Sequence, residues 1–513
     1  MESSMASAML EHGVARACEP SLEQASAAQA PRGHGRRAEE FSGRELAAVG
    51  ILVVADWMTV FGCLGFVWWA RHRLAPVLPS LGPVTPLPFF LLHLYFLLPW
   101  TLAFCVSGLY TRRTLFWDEA RRVVSACSLA ALVAIAISFA GGDAARLSRM
   151  VIGGTWLMTL VAVPLARVQV KRWLAALGLW TRRMVILGAG ESGRQVCARL
   201  RAHAELGYDP VAFVDDDPGR IGTCLDGIPV LGPLASAADI VQHTRAREVV
   251  VAMPQLSRER LLELVATCEG HVRSIRVVPD LFGLASVGVE AEDLDGVLLL
   301  HMRWNLAVPW NRLIKRCFDV VVGTAAVLLA SPLLLLAALA TRFDSSGPIF
   351  FAQARLGRDR RPFRCLKLRT MYADADARLA ACLASDADSR AEWERFAKLK
   401  GRDPRVTRVG RTLRRFSLDE LPQLLNVLRG EMSLVGPRPY LPSEIERMGA
   451  RAETILKARP GLTGLWQVSG RSTLTFEHRL RLDEYYTRNW SLWTDIMVLC
   501  HTTGAVWRAD GAY

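Results

Sequence analysis

The chain has 513 residues, 51% of them hydrophobic, and a formal net charge of +13. That length exceeds one ordinary domain, and a mean hydropathy of +0.21 excludes a wholly water-soluble protein. Its eleven cysteines form no C-x-x-C pair and no His/Cys ligand spacing, which argues against a disulfide framework and a zinc site and fits reduced thiols. Surplus base beside apolar spans points to an anionic membrane surface or phosphorylated substrates, not to nucleic acid.

Residues 1–44 are rich in Ala, Ser, Gly, Glu and Arg without apolar periodicity, the composition of a disordered tail. No apolar run follows closely enough for a signal peptide. Residues 45–172 read as a four-span transmembrane bundle, with spans from Leu46 to Ala70, Leu87 to Tyr110, Val123 to Ala140 and Met150 to Val170. Each is near the ~20 apolar residues a bilayer needs. Asp56 in the first span is costly in lipid and is expected to face other helices. Arg36, Arg37 and Arg44 precede the bundle, Arg112, Arg113, Arg121 and Arg122 lie between spans two and three, and Arg167, Lys171, Arg172, Arg182 and Arg183 accompany or follow span four. The positive-inside rule therefore puts both ends on the cytoplasmic side.

Residues 181–285 change period to a Rossmann-like α/β pattern. A strand-like run ends in Gly188-Ala-Gly190-Glu-Ser-Gly193, and a second strand leads to Asp215. Glycines for a tight turn with a carboxylate some 20 residues on are the dinucleotide-binding arrangement, but the same glycines serve helix–sheet packing without a ligand. Residues 286–310 read as a linker.

From Val320 to Ala340 there is no charge, yet Arg312, Lys315 and Arg316 stand before the run and Arg342, Arg355 and Arg358 after it. Both flanks favour the cytoplasmic side. With Ser331 and Pro332 at its middle, the segment is expected to be a helix–break–helix that enters one leaflet and returns, the Ser331 hydroxyl satisfying a carbonyl near Val327 or Leu328. A proline-kinked spanning helix is the alternative. Base then crowds Arg355 to Arg369 against the single acid Asp359, a pattern suited to phosphate or to anionic lipid. Alternation at Phe363, Cys365, Lys367 and Arg369 predicts a strand that points Lys367 and Arg369 the same way.

Next comes Ser417-Leu-Asp419-Glu420-Leu-Pro422-Gln423. Two adjacent carboxylates beside a low-dielectric surface raise each other's pKa unless neutralised. A hard divalent cation shared with substrate phosphates is one neutraliser. The competing reading is a capping box, Ser417-x-x-Glu420, that merely starts a helix.

The motifs Lys315-Arg-x-Phe-Asp319, Ser331-Pro332, Arg355-x-Gly357, Lys367-x-Arg369-Thr-Met371, Ser417 to Gln423, Gly436-Pro-Arg438-Pro439 and Pro460-Gly-Leu-Thr-Gly-Leu-Trp466-Gln467 occur in this order. Together they resemble the large monotopic phosphoglycosyl transferases, also called bacterial sugar transferases. The Asn489-Trp-Ser-Leu-Trp-Thr-Asp495 run and the end at Tyr513 resemble the galactose branch of that family, with Ala509 as a departure. The resemblance implies an α+β membrane protein: transmembrane bundle, Rossmann-like middle domain, and a monotopic catalytic domain over 311–513 with a re-entrant helix at about 320–340. It further implies a ping-pong reaction at the inner membrane's cytoplasmic face. Asp419 attacks a UDP-sugar and holds the sugar phosphate until undecaprenyl phosphate takes it. Mg2+ is implied at Asp419 and Glu420, phosphate contacts at Lys367, Arg369, Arg438 and Arg355, and the lipid phosphate at Lys315 or Arg316. Galactose 1-phosphate is the expected group, with glucose its rival, and a homodimer is one assembly option.

Two other classes compete. An NAD-dependent, membrane-anchored sugar-nucleotide dehydratase would carry Tyr-x-x-x-Lys, and none of the eight tyrosines has lysine four residues on. A non-enzymatic scaffold would leave the motifs between Gln353 and Arg471 without a task.

Overall fold

The computed structural model describes residues 43–76, 98–140, 148–279, 289–294, 297–302, 304–386, 390, 403–470 and 474–507. Residues 1–42 of the expected tail, residues 87–97 of the second span, residues 286–288, 295, 296 and 303 of the linker, and the end at Tyr513 lie outside them. Two compact units divide the chain, Met1–Asp280 and Leu281–Tyr513.

In the first unit, helices α1 (Gly43–Leu74), α2 (Leu98–Val106), α3 (Phe116–Ala140) and α4 (Arg149–Ala176) form the bundle. Among the described residues four helices are long and apolar enough to cross a membrane: α1, α3 and α4 here, and the helix Pro309–Asp344 of the second unit. Their inner faces meet at Ala48, Leu52, Phe104, Val123, Ala130 and Val163. At the centre Arg167 of α4 donates to Asp56 of α1 at 2.5 Å and to Glu119 of α3 at 2.7 Å. Lys171 reaches Glu119 at 2.7 Å and the Tyr110 hydroxyl donates to Asp56 at 2.8 Å. Two bases and two acids thus cancel where unpaired charge would be prohibitive, and Asp56 is turned inward.

Strands β1 (Arg182–Leu187), β2 (Tyr208–Val214), β5 (Glu248–Val251) and β6 (Ser274–Val277) make a parallel sheet in the order β2-β1-β5-β6. The short hairpin of β3 (Cys224–Leu225) and β4 (Ile228–Pro229) and helices α5 (Glu191–Ala202), α6 (Ala237–Thr244) and α7 (Arg258–Cys268) complete this part. Met184–Leu187 of β1, Ala212–Val214 of β2 and Val249–Val251 of β5 are apolar runs buried on both faces, whereas the edge strand β6 is partly exposed. Nine described cysteines are free thiols, whereas Cys224 is disulfide-bonded, against expectation.

The second unit starts with the antiparallel pair β7 (Val289–Leu294) and β8 (Val297–Met302), followed by α8 (Pro309–Asp344). Then come the hairpin of β9 (Phe350–Leu356) and β10 (Pro362–Leu368), α9 (Ala375–Ser385), α10 (Arg408–Arg415) and α11 (Gln423–Arg429). Parallel strands β11 (Ser433–Val435) and β12 (Gly461–Thr463) bracket α12 (Ile445–Met448) and α13 (Arg451–Ile455). Helices α14 (Leu465–Val468), α15 (Phe476–Arg488) and α16 (Leu492–Trp507) end the unit.

Helix α8 corrects one expectation: it is a single helix, not two separated by a break. Pro332 cannot donate to the Leu328 carbonyl four residues back, and the Ser331 hydroxyl donates to that carbonyl at 2.8 Å instead. One face of α8 is fastened along its length. Lys315 pairs with Asp495 at 2.7 Å, Arg316 caps the Val427 and Leu428 carbonyls, and Asp319 accepts from Ser433 and the Leu434 amide. Further on, Ala326 and Ala330 pack against the core cluster that contains Leu424 and Val427, Ala337 clusters with Leu368 and Leu413, and Asp344 accepts from the Val409 amide. The other face exposes Val321, Leu328, Leu329, Leu336 and Phe343.

Lys315 is 7% exposed and Asp495 is fully buried. Asp495 also accepts from Tyr486 and Trp490. Lys315→Met should therefore cost about 3–5 kcal/mol, because it leaves a buried carboxylate without its cation. Lys315→Met with Asp495→Asn should recover most of that loss, measured by thermal unfolding in detergent.

Candidate active site

Helix α10 begins at Thr407, whose hydroxyl accepts from the Gly410 amide at 2.9 Å. A Cβ on Gly410 would lie 2.2 Å from the Thr370 carbonyl oxygen, so this start presses on the backbone just past β10. After α10 the chain turns at Ser417 with φ +55, a left-handed conformation that costs a non-glycine residue about 1 kcal/mol or more. Leu418 to Glu420 form one 3-10 turn, and α11 starts only at Gln423. The Ser417 side chain caps nothing and Pro422 precedes the first helical position. This overturns the capping-box reading.

The turn holds Asp419 at 9% exposure with Glu420 beside it. Glu420 accepts from Lys367 Nζ at 2.6 Å. Burial holds the Asp419 carboxyl above its ordinary value, Glu420 adds to the shift, and Lys367 and Arg414 oppose it. Sequence reading missed Arg414, which donates to the Thr370 hydroxyl at 2.9 Å. It also missed Asn426, which is fully buried. Asn426 accepts from the Leu366 amide at 3.0 Å and donates to the Arg364 carbonyl at 2.8 Å, tying α11 to β10 and so setting Lys367 opposite the dyad.

A second basic group surrounds Arg438. The Arg438 backbone amide and the Tyr440 hydroxyl both donate to Asp483, at 3.0 and 2.7 Å. Burial pushes the Asp483 carboxyl up to about 7. Arg355 donates to the Pro439 carbonyl at 3.1 Å, and burial and the Arg438 charge lower its pKa. The Arg438 and Arg479 guanidinium carbons lie 5.6 and 5.7 Å from the Trp466 ring centroid. Beneath them the two glycine motifs cross: a Cβ on Gly461 or Gly464 would lie 2.1 or 2.3 Å from Gly436 backbone atoms. The amides of Gly436 and Gly461 donate to Thr463 and Pro437 at 2.9 and 2.8 Å. Only hydrogen fits there.

Three expected phosphate ligands are engaged elsewhere. Lys315 and Arg316 are taken up inside the unit by the contacts of α8 described above. Arg369 follows the last residue of β10 and donates to the Ser345 carbonyl and hydroxyl at 2.6 and 2.9 Å. In the first unit, Gly188 adopts φ +102 and a Cβ on Gly193 would lie 2.0 Å from the Gly188 carbonyl oxygen. Asp215 accepts from the Ala189 amide of that turn at 2.6 Å and pairs with Arg220 at 3.3 Å. Close packing of helix on turn thus requires glycine at Gly193, whereas a Cβ on Gly190, the residue before α5, would meet only the Arg220 side chain at 3.7 Å.

Among the described residues no group of three or more His, Cys, Asp or Glu could by itself hold a metal. Two adjacent carboxylates that share a cation with substrate phosphates are the pattern hard divalent ions accept, and Asp419 and Glu420 fit it.

Residues 310–509 match the bacterial sugar transferase family and residues 106–279 a CoA-binding domain family. The chain is 38% identical over 407 residues to the UDP-galactose-lipid carrier transferase of Erwinia amylovora, covering 79% of this chain and 84% of that one. It is 37% identical over 408 residues to the undecaprenyl-phosphate galactose phosphotransferase of Salmonella typhimurium, with the same coverage of 79% and 84%. With the UDP-glucose:undecaprenyl-phosphate glucose-1-phosphate transferase of Escherichia coli it shares 31% over 336 residues, 64% of this chain and 68% of that one. Identity sustained across both units, with every motif from Lys315 to Gln467 in order, establishes that the chain belongs to the bacterial sugar transferase family.

Proposed function

We propose that this chain transfers galactose 1-phosphate from UDP-galactose to undecaprenyl phosphate at the cytoplasmic face of the inner membrane, beginning lipid-linked polysaccharide assembly. The observation that carries the proposal is Asp419, a buried carboxylate in a left-handed turn, flanked by Glu420, Lys367 and Arg414, in a unit whose helix α8 shows an apolar face. The choice of galactose rests on the galactose relatives. Glucose 1-phosphate is the second reading, favoured by the glucose-transferring relatives.

An Asp419 oxygen attacks the β-phosphorus of the donor. The bond from that phosphorus to the bridging oxygen breaks, UMP leaves, and an aspartyl phosphosugar remains. An oxygen of undecaprenyl phosphate then attacks the same phosphorus, the Asp419–phosphorus bond breaks, and the carboxylate returns. Lys367 orients Glu420, while Arg438, Arg355 and Arg479 face the diphosphate. Mg2+, held by Glu420 with Asp419, would supply positive charge against the phosphate oxygens. Burial raises the ground-state energy of the Asp419 anion, which favours its consumption in the attack.

Ping-pong chemistry requires that labelled UMP exchange into UDP-galactose without acceptor. Asp419→Asn should abolish exchange by on the order of 10⁴-fold or more; retained exchange would remove Asp419 as nucleophile. The variant should unfold at the same temperature or higher at pH 7. A raised folded-state pKa means that the ionised carboxylate opposes folding above that pKa, and Asn removes the charge.

Since only ionised Asp419 attacks, kcat/KM should fall as pH falls through a midpoint above the ordinary 3.8. Lys367→Met, which removes an opposing cation, should move that midpoint further up. A midpoint that does not move in Lys367→Met would contradict the assignment.

Both ends of α8 pack on one unit, which supports a helix that enters and leaves the membrane on the same side. In a cysteine-depleted protein, Trp310→Cys and Ser346→Cys should both react with an impermeant maleimide from the cytoplasmic side. Labelling from opposite sides would make α8 a spanning helix.

A further inference from the structure

The first unit contains a cavity of about 380 Å³ that no step of the transfer reaction uses. It lies at the N-terminal edge of the parallel sheet, since Arg182, Tyr208, Glu248 and Ser274 of its lining are the first residues of β1, β2, β5 and β6. The glycine turn at Gly188 is at the other edge, after β1. The remaining wall comes from the segment between α2 and α3, with Arg112 and Arg113, where the apolar helices end.

Five guanidiniums line this space: Arg112, Arg113, Arg182, Arg273 and Arg276. Two carboxylates answer them. Glu248 pairs with Arg182 and Arg276 at 3.1 and 3.3 Å, and Glu45 at the start of α1 pairs with Arg182 and Arg273 at 2.9 and 3.4 Å. Arg113 donates to the carbonyls of Trp180, Leu206 and Gly207, and its buried Nε has no partner. Burial and the nearby Arg182 charge push its pKa down to about 10. A structural clamp accounts for Arg113, but like charges gathered in a cavity repel without a counterion. Arg112 and Arg276 are exposed at its mouth, and Arg276 is held over the Tyr208 ring at 4.6 Å.

We propose that this arginine-lined cavity binds a phosphoryl group, carried either by an anionic lipid headgroup at the end of the bundle or by a soluble phosphate compound. Guanidinium forks match phosphate oxygens two at a time, and basic pockets at helix ends are suited to phosphate headgroups.

The test uses the full chain, first in neutral detergent with sodium pyrophosphate against sodium chloride at equal ionic strength. A second arm uses phosphatidylcholine nanodiscs with and without phosphatidylglycerol. Thermal unfolding should rise with at least one probe. A rise with phosphatidylglycerol alone assigns a lipid headgroup, with pyrophosphate alone a soluble ligand, and with both the phosphoryl group itself. Arg112→Gln/Arg276→Gln should weaken binding about tenfold or more, and Arg112→Lys/Arg276→Lys less, since lysine keeps charge without the fork. If the double Gln variant unfolds without probe, the single exposed change Arg112→Gln replaces it. No rise with either probe, or an equal rise in the Gln variant, overturns the proposal.

Discussion

Lys315 and Asp495 meet at 2.7 Å in the interior of the second unit, and the rest of that unit depends on their being paired. Lys315 brings in α8, Asp495 brings in α16, and Lys315 Nζ, besides pairing with Asp495, donates to the Val435 carbonyl at 3.0 Å. Val435 ends β11 and leads directly into Gly436 and the Arg438 turn. A membrane-facing helix is thereby connected to the arginines through a polar interior. An apolar seam would bury α8 equally well but would not fix its register, since oily contacts are non-directional.

The site itself runs against stability. Asp419 is buried with a charged neighbour, and Ser417 holds a left-handed backbone. Both features cost free energy, and both are upheld from outside the turn, by Asn426 across to β10 and by Gly410 against Thr370. Strain of this kind persists only where the surroundings over-determine it. The same surroundings bring Lys367 and Arg414 within electrostatic reach of the carboxylate.

What could be read from the chain beforehand was local. Long apolar runs marked α1, α3, α4 and α8, and alternation marked β10. The Asp419-Glu420 pair stood out through the motifs that accompany it from Lys315 to Gln467. Partnerships across long separations were invisible. Lys315 and Arg316 look like phosphate ligands as letters, yet their partners lie 180 and 111 positions away. Arg369 also looks like a phosphate ligand beside Lys367, yet its guanidinium is engaged by Ser345, 24 positions back. Ser417 and Glu420 have capping-box spacing, but a positive φ at Ser417 defeats it. Pro332 suggested a break, whereas the Ser331 hydroxyl repairs the missing hydrogen bond well enough for one helix.

The charge network of the bundle bears on how the protein is made. Asp56 belongs to the first apolar helix and its cation Arg167 to α4, 111 positions later. While the ribosome is still supplying the intervening chain, α1 carries an unmatched acid that hydrocarbon rejects. Lateral release of α1 into lipid is thus favourable only as a proton-bearing acid or in company. The carboxylate of α1 is therefore matched by a cation only once the chain has been made as far as α4.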